Sequence, residues 1–349
     1  MTPDLTIGIP TRNRREHLTS LLRRIDAIDD GRSYQVVIVD EQSSDDTPDL
    51  LARWRPRRAD VTVVRHDNPM GVCGARNRII EHAQAPYVSW IDDDDLPAPT
   101  RYGRQLDELR RTGFRWSAVG SVNIDADNVV TGHVACPPLE GAALQAALLQ
   151  RNIMPVPSGG LVVETEFARE LGGFDESLPY IEDWDFTIRA ALADPRVAFV
   201  DEPLLGYRIV HGTSLSSHTD RMFQWISAVF AKHQAAADRL GVDLARGELQ
   251  ANLLAYDLRV SRGAGRRRAL RMAQAQPTLP YVVRAAAVCA APHTYRKLGD
   301  MVRDRAVPGA WRTQATEWLG IEPPELDVAP APIREPLRPT TRPAIAAAA

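Results

Sequence analysis

Long apolar runs are missing from this chain of 349 residues. Its most apolar late segment, Leu279 to Ala291, is shorter than the roughly 20 residues a membrane helix needs, and it carries Arg284. The opening Met1-Thr2-Pro3-Asp4 lacks the basic and apolar regions of a secretory leader, so the expected location is the cytoplasm. Cysteine is scarce. The three present, Cys73, Cys136 and Cys289, are odd in number and far apart, which argues for reduced thiols and against a disulfide framework or zinc site. Neither sign of charge dominates: the net charge is -3 with 25% charged residues, so nucleic acid is not an expected partner. No internal repeat is visible. The length suits one large or two ordinary domains.

What the chain does have is an apolar run that ends in four consecutive carboxylates: Tyr87-Val88-Ser89-Trp90-Ile91, then Asp92-Asp93-Asp94-Asp95. Adjacent like charges repel, and either water or a divalent cation must offset the repulsion. Carboxylate oxygens are hard ligands that suit such a cation. Val88, Trp90 and Ile91 read as a buried strand, and ligand sites in open α/β sheets lie beyond the carboxyl ends of strands. Leu96-Pro97-Ala98-Pro99 then stops the strand. The plainer alternative is a solvated acidic loop.

Strand and helix patterns alternate around this run. Leu5 to Pro10 reads as a first strand, and Leu18, Leu21, Leu22 and Ile25 recur at helical spacing. Gln35 to Val39 is a continuous apolar run of the kind covered on both faces in parallel sheets. Thr47-Pro48 suits a helix start, a capping side chain before proline. Asp60 to His66 reads as a strand, Val72 to Ala83 as a helix, Pro99 to Arg111 as a helix and Arg115 to Ile124 as a strand. Such alternation predicts an α/β domain with right-handed crossovers. Later, Leu139 to Gln150 and Glu182 to Ala193 read as helices, Gly159 to Val163 as a short strand, and Val197 to Val200 and Gly206 to Val210 as two short extended pieces. From about Thr219 to Trp318 the chain is Ala- and Arg-rich and helical, and beyond Ile321 its Pro/Ala composition predicts disorder.

Six segments in this order resemble the family-two glycosyltransferases: Ile9-Pro10-Thr11-Arg12-Asn13-Arg14, Val39-Asp40-Glu41-Gln42-Ser43, Gly71-Val72-Cys73-Gly74-Ala75-Arg76-Asn77, Trp90-Ile91-Asp92-Asp93-Asp94-Asp95, Gly172-Gly173-Phe174-Asp175-Glu176 and Glu182-Asp183-Trp184-Asp185. The resemblance covers roughly Thr2 to Ser217. It implies a GT-A fold: a Rossmann-like α/β unit with a mixed, mainly parallel sheet flanked by helices, here with a C-terminal helical extension. The implied division is 1–218 for catalysis, 219–320 helical and 321–349 tail.

The resemblance also implies an inverting transfer from a nucleotide diphosphate sugar to a hydroxyl acceptor. Pro10, Thr11, Arg12 and Asp40 would hold the nucleotide base, and Arg76 would approach the nucleotide. Asp40 equally suits an Asx turn at a strand end, and Arg76 equally suits a surface ion pair. Asp92 and Asp93 are assigned to the nucleotide and Asp94 to a Mn²⁺ or Mg²⁺ ion, since octahedral oxygen sites suit these ions; the four-Asp run leaves that register open by one. Asp183 would be the general base. His211 would reach the metal or diphosphate, and Arg208 a phosphate. The sequence departs from the family at Glu41 and Gln42, where aspartate and glycine are common. A residue with a Cβ takes positive φ less readily than glycine.

Two rivals stand beside this reading. Nucleotidyl transfer would show a Gly-rich phosphate loop after the first strand, where Pro10-Thr11-Arg12-Asn13 has no glycine. An inactive sugar-binding scaffold would not need both acidic clusters. In the last third, Arg262, Arg266, Arg267, Arg268 and Arg271 form a basic run. It reads either as a solvated helix face or as a peripheral attachment to the inner face of an anionic membrane.

Overall fold

In the computed structural model the described residues are 2–56, 59–156, 158–209, 219–244, 261–275, 279–295 and 307–327, with Leu254, Asp257, Leu258 and Pro277. The first half alternates as the apolar pattern predicts. β1 (Leu5–Thr11), α1 (Arg15–Asp26), β2 (Tyr34–Asp40), α2 (Thr47–Arg53), β3 (Ala59–Arg65), α3 (Gly71–His82) and β4 (Tyr87–Trp90) follow one another. Then come β5 (Leu96–Pro97), α4 (Arg101–Thr112), β6 (Trp116–Ile124), β7 (Val130–Val134), α5 (Gly141–Gln150), β8 (Leu161–Glu164), α6 (Thr165–Glu170), α7 (Glu182–Ala193) and β9 (Ala198–Arg208). Further helices among the described residues include α8 (Thr219–Leu240), α9 (Arg262–Ala275), α10 (Leu279–Ala290) and α11 (Gly309–Gly320).

All the strands join one sheet in the order β3-β2-β1-β4-β8-β6-β9-β5, with β7 paired to β6. β3, β2, β1 and β4 are mutually parallel, as helical crossovers require. β8 runs antiparallel to β4 and β6, and β9 parallel to β6. Side chains on a strand alternate between faces, and β2 shows why its stretch Val36 to Val39 is continuously apolar. Val36 and Ile38 enter one core with Leu5, Ile7, Leu18 and Tyr102, whereas Val37 and Val39 enter the other with Ile79, Trp90, Phe174 and Phe186. Helices cover both faces of the central strands, whereas β3 and β7 at the margins keep exposed residues such as Asp60, Thr131 and Val134. Gly8 allows α3 to close on β1: a Cβ there would meet the Ile79 side chain at 2.3 Å.

Four elements were not legible as such, and β7, with Thr131 and Val134 exposed, is one of them. The two extended pieces expected near 197–200 and 206–210 are one strand, β9. It continues through Pro203 because its register against β6 shifts around Gly120, opposite that proline. The two-residue β5 and the six-residue α6 are too short for a periodic signal. The C-terminal extension returns to the sheet: Ala315 and Trp318 of α11 lie in the same core as β9, and Trp318 Nε1 donates to Pro203 O at 2.9 Å. Of the tail expected to be disordered, residues 321–327 are described and dock on α1. There Arg23 donates to Pro323 O at 2.7 Å and Pro324 O at 2.9 Å.

Candidate active site

The parallel strands β1, β2 and β4 end at the same edge. Thr11 sits beside Asp40 in register, and Gly8 beside Trp90. Beyond Trp90, Ile91 N–H still donates to Gly8 O at 3.0 Å, so β4's path carries the acidic run alongside the end of β1. Within the run the side chains alternate. Asp93 and Asp95 turn inward and are buried, while Asp92 and Asp94 stay 37% and 26% exposed. The outward pair has the one-residue spacing expected of Asp92 and Asp94, and it arises in a tight turn that Asp95 N–H closes by donating to Asp92 O at 3.1 Å.

Asp93, read from sequence as a nucleotide contact, instead receives the Thr11 hydroxyl at 2.7 Å. Burial pushes its carboxyl up to about 7 against the opposing pull of Thr11 and Arg14. Asp95 accepts Arg208 N–H at 2.9 Å, and burial raises its pKa well above the carboxylate range. Its Oδ2 has no hydrogen-bond partner among the described residues. Arg208 is no free phosphate ligand. Its guanidinium donates to the carbonyls of Asp94 at 2.9 Å and Asp125 at 2.6 Å and to Asn128 Oδ1 at 2.7 Å, fixing the acidic run to the β6–β7 turn. His211 lies outside the described residues.

Asp40 is buried and forms the Asx turn its position allows. Oδ1 accepts Ser43 N–H at 2.8 Å, and Oδ2 pairs with Arg65 at 2.7 Å. A cavity of about 100 Å³ beside it is lined by Pro48, Leu51, Ala52, Val63, Arg65 and Asp40 itself. Pro10 is part-buried, Thr11 buried and Arg12 exposed along the same edge. Glu41 secures the start of α3. Its Oε2 accepts Met70 N–H at 2.7 Å and Gly71 N–H at 2.8 Å, which places a negative charge at the helix N-terminus. Gln42 takes φ +60°, so the chain keeps a left-handed turn without glycine. Gln42 Nε2 donates to Asp67 O at 2.6 Å, which helps hold the turn.

The second acidic cluster is brought to this edge by aromatic packing. Trp90 meets Phe174 and Phe186 edge-on at 5.1 and 5.6 Å, and those two rings stack at 4.7 Å. This joins β4, the Gly172-Gly173 turn and α7, whose first residues are Glu182 and Asp183. Both turn glycines have positive φ, +77° and +69°, and a Cβ on Gly173 would strike Asn77 Oδ1 at 2.4 Å.

Arg76, buried on α3, bridges the two clusters. Nη1 donates to Glu182 Oε1 at 2.5 Å, and Nη2 to Asp92 Oδ1 at 2.9 Å. The surface-pair alternative for Arg76 is thereby excluded, since the side chain is 3% exposed. Burial works against its charge, but Asp92, Glu182 and Asp183 together raise its pKa above the ordinary arginine value. Burial also lifts Glu182 to about 7, with Asp183 adding to the rise and Arg76 opposing it. Asp183 is raised by burial and by Asp92, against the pull of Arg76 and of Trp184 N–H, which donates to it at 2.6 Å. Asp183 therefore lies within electrostatic reach of Asp92. Glu182, Arg14 and Arg76's bridging geometry are the parts of the site that residue types alone did not announce.

Chemically, the edge presents two outward carboxylates, a buried arginine and, across that arginine, a part-buried carboxylate with raised basicity. Among the described residues no three His, Cys, Asp or Glu side chains converge as a closed metal cage. The outward Asp92 and Asp94 nevertheless fit a Mn²⁺ or Mg²⁺ ion, since such ions at diphosphates keep waters and use one or two protein carboxylates. Asp94 already holds a cation, the Arg14 guanidinium.

Residues 6–162 match the model of glycosyl transferase family 2. The Escherichia coli protein WfaP, named a UDP-Glc:α-D-GlcNAc-diphosphoundecaprenol β-1,3-glucosyltransferase, is 24% identical over 192 residues, 54% of this chain and 70% of that one. The pre-mycofactocin glycosyltransferase of Mycobacterium tuberculosis is 26% identical over 215 residues, 61% of this chain and 44% of that one, so the match spans less than half of that relative. A solved mannosyltransferase of Pyrobaculum calidifontis, in complex with GDP-Man and Mn²⁺, superposes with TM-score 0.54 at 21% identity, over 91% of this chain and 87% of that one.

Proposed function

The chain belongs to glycosyl transferase family 2 and has the GT-A fold, and on that premise we propose that it transfers a sugar from a nucleotide diphosphate sugar to a hydroxyl acceptor by single displacement with inversion. The observation that carries the reading is Arg76 joining Asp92 to Glu182, because it ties a donor-side carboxylate to the start of α7, where the residue after Glu182 is the candidate base Asp183.

The nucleotide would lie along the edge formed by Pro10, Thr11, Arg12 and Asp40, with Asp92 and Arg76 orienting its diphosphate end. Asp94 would hold a Mn²⁺ or Mg²⁺ ion, whose chemistry there is to neutralise charge on the departing diphosphate. His211 is kept as a further candidate ligand. Asp183 accepts the proton of the acceptor hydroxyl as its oxygen attacks the anomeric carbon. The C–O bond to the diphosphate breaks on the opposite face, and the nucleoside diphosphate leaves. A base working near neutral pH is most effective when its pKa is lifted toward that pH, which suits the raised pKa of Asp183.

The division at residues 218 and 320 belongs to the same proposal, as does peripheral attachment through the C-terminal basic helices. No helix among the described residues is long and apolar enough to cross a membrane. On α9, Arg262, Arg266, Arg267 and Arg271 are exposed, whereas Arg268 turns inward to Asp257 at 2.7 Å. Leu279, Val282 and Val283 of α10 are exposed apolar residues, and such a mixture suits an anionic lipid surface. Co-sedimentation with phosphatidylglycerol vesicles tests the attachment, and an unchanged supernatant fraction contradicts it.

Product analysis tests the reaction. A panel of nucleotide sugars incubated with Mn²⁺ should yield nucleoside diphosphate. Formation of nucleoside triphosphate and sugar 1-phosphate when pyrophosphate is added would indicate nucleotidyl transfer instead, and neither outcome would indicate a binding scaffold.

A further inference from the structure

The acidic run is not electrostatically open. Asp92 is matched by Arg76, and Asp94 by Arg14, whose guanidinium also lies 3.6 Å from Asp93 Oδ1. Arg14 differs from Arg76 in one respect. Arg76 is 3% exposed and locked between two carboxylates, whereas the Arg14 side chain is 44% exposed. Its backbone, by contrast, is fixed. Asn13 before it takes φ +53°, with its N–H on Ser43 Oγ at 2.8 Å and its Oδ1 accepting Ser44 N–H at 2.7 Å. Arg14 O accepts Leu18 N–H at 2.9 Å, which starts α1. A rigid base therefore carries a long-armed cation directly onto the carboxylate that suits a dication.

We propose that Arg14 is a tethered counter-ion that occupies the cation position at Asp94 in the free protein and yields it only when a nucleoside diphosphate arrives to take the guanidinium. This rests on the assignment of Asp94 to the metal. A guanidinium binds phosphate oxygens as readily as carboxylate, through paired N–H donors. The exchange conserves charge pairing: Asp94 passes from Arg14 to the dication, and Arg14 from Asp94 to a phosphate oxygen. The free protein thereby keeps stray dications off a run of four carboxylates, and metal and nucleotide bind with positive coupling.

The test measures Mn²⁺ binding by electron paramagnetic resonance, without turnover, for the wild type and Arg14→Ala, alone and with UDP or GDP. Linkage energies between sites commonly correspond to factors of about 5–150. Arg14→Ala should bind Mn²⁺ alone at least about fivefold more tightly than wild type, and nucleotide should tighten Mn²⁺ binding less in the variant than in the wild type. Arg14→Lys, which retains a positive charge, should fall between them. Circular dichroism confirms the fold of each variant. Unchanged or weaker Mn²⁺ binding by Arg14→Ala, with nucleotide-dependent binding intact in the wild type, overturns the counter-ion role alone. Absence of Mn²⁺ binding in every protein, with either nucleotide, overturns the metal assignment as well.

Discussion

Arg76 holds Glu182 at 2.5 Å although 106 residues separate them in the chain, and the same guanidinium holds Asp92 at 2.9 Å. Removing one partner from a buried ionic contact leaves the others uncompensated, which costs about 3–5 kcal/mol. Arg76→Ala should therefore lower unfolding stability by about that amount, measured by urea titration, and abolish donor turnover. Arg76→Lys retains charge but not the two-pronged geometry, and should recover only part of each loss.

Glu182 supplies a pH dependence. Its folded pKa, about 7, stands above the ordinary 4.5, so the folded state favours the protonated acid. The stability this contributes is complete below pH 4.5 and is lost as pH rises through about 7. Glu182→Gln cannot ionise, so its stability relative to wild type should improve between those limits in melting curves. A pH-independent difference would show that Glu182 is ionised throughout.

Asp183→Asn preserves size and removes the basic oxygen. Donor binding, read by thermal shift with Mn²⁺, should remain within about threefold of wild type, while transfer falls by at least the factor of about 10²–10⁴ typical of a lost general base. Wild-type turnover in this variant would remove Asp183 from the mechanism.

Gln42 tests the backbone at the nucleotide edge. Its φ of +60° is disfavoured for any residue with a Cβ. Gln42→Gly should leave stability unchanged or raise it by up to about 1 kcal/mol, after losing the Asp67 contact. Gln42→Val should lower it by about 1–2 kcal/mol. Chemical denaturation of both variants gives the comparison.

The parts of this site that could be read from sequence are those written in local pattern. Val36 to Val39 of β2 are continuously apolar because the central strands are covered on both faces, and the break into Asp92–Asp95 after the run ending at Trp90 marks a strand's carboxyl end. What stayed hidden depends on contacts between distant segments. Nothing local tells Arg76 from a surface arginine until the Trp90–Phe174–Phe186 cluster draws α7 to β4. Asp40 was open between an Asx turn and a base contact, and its bonds to Ser43 and Arg65 establish the turn. Glu41, a departure from the family pattern, is intelligible once α3's first N–H groups are seen on its carboxylate. β9 read as two pieces because Pro203 interrupts the local pattern, and only pairing with β6 makes it one strand.

The most direct measurement is a crystal structure of Asp183→Asn with Mn²⁺ and the nucleotide sugar selected by the product assay. The account predicts an anomalous Mn²⁺ peak on Asp94, the diphosphate beside Arg76, and the anomeric carbon facing residue 183 across a gap wide enough for an acceptor oxygen. A donor bound away from the β1, β2 and β4 ends, or an anomeric carbon with residue 183 on the leaving-group side, would contradict it.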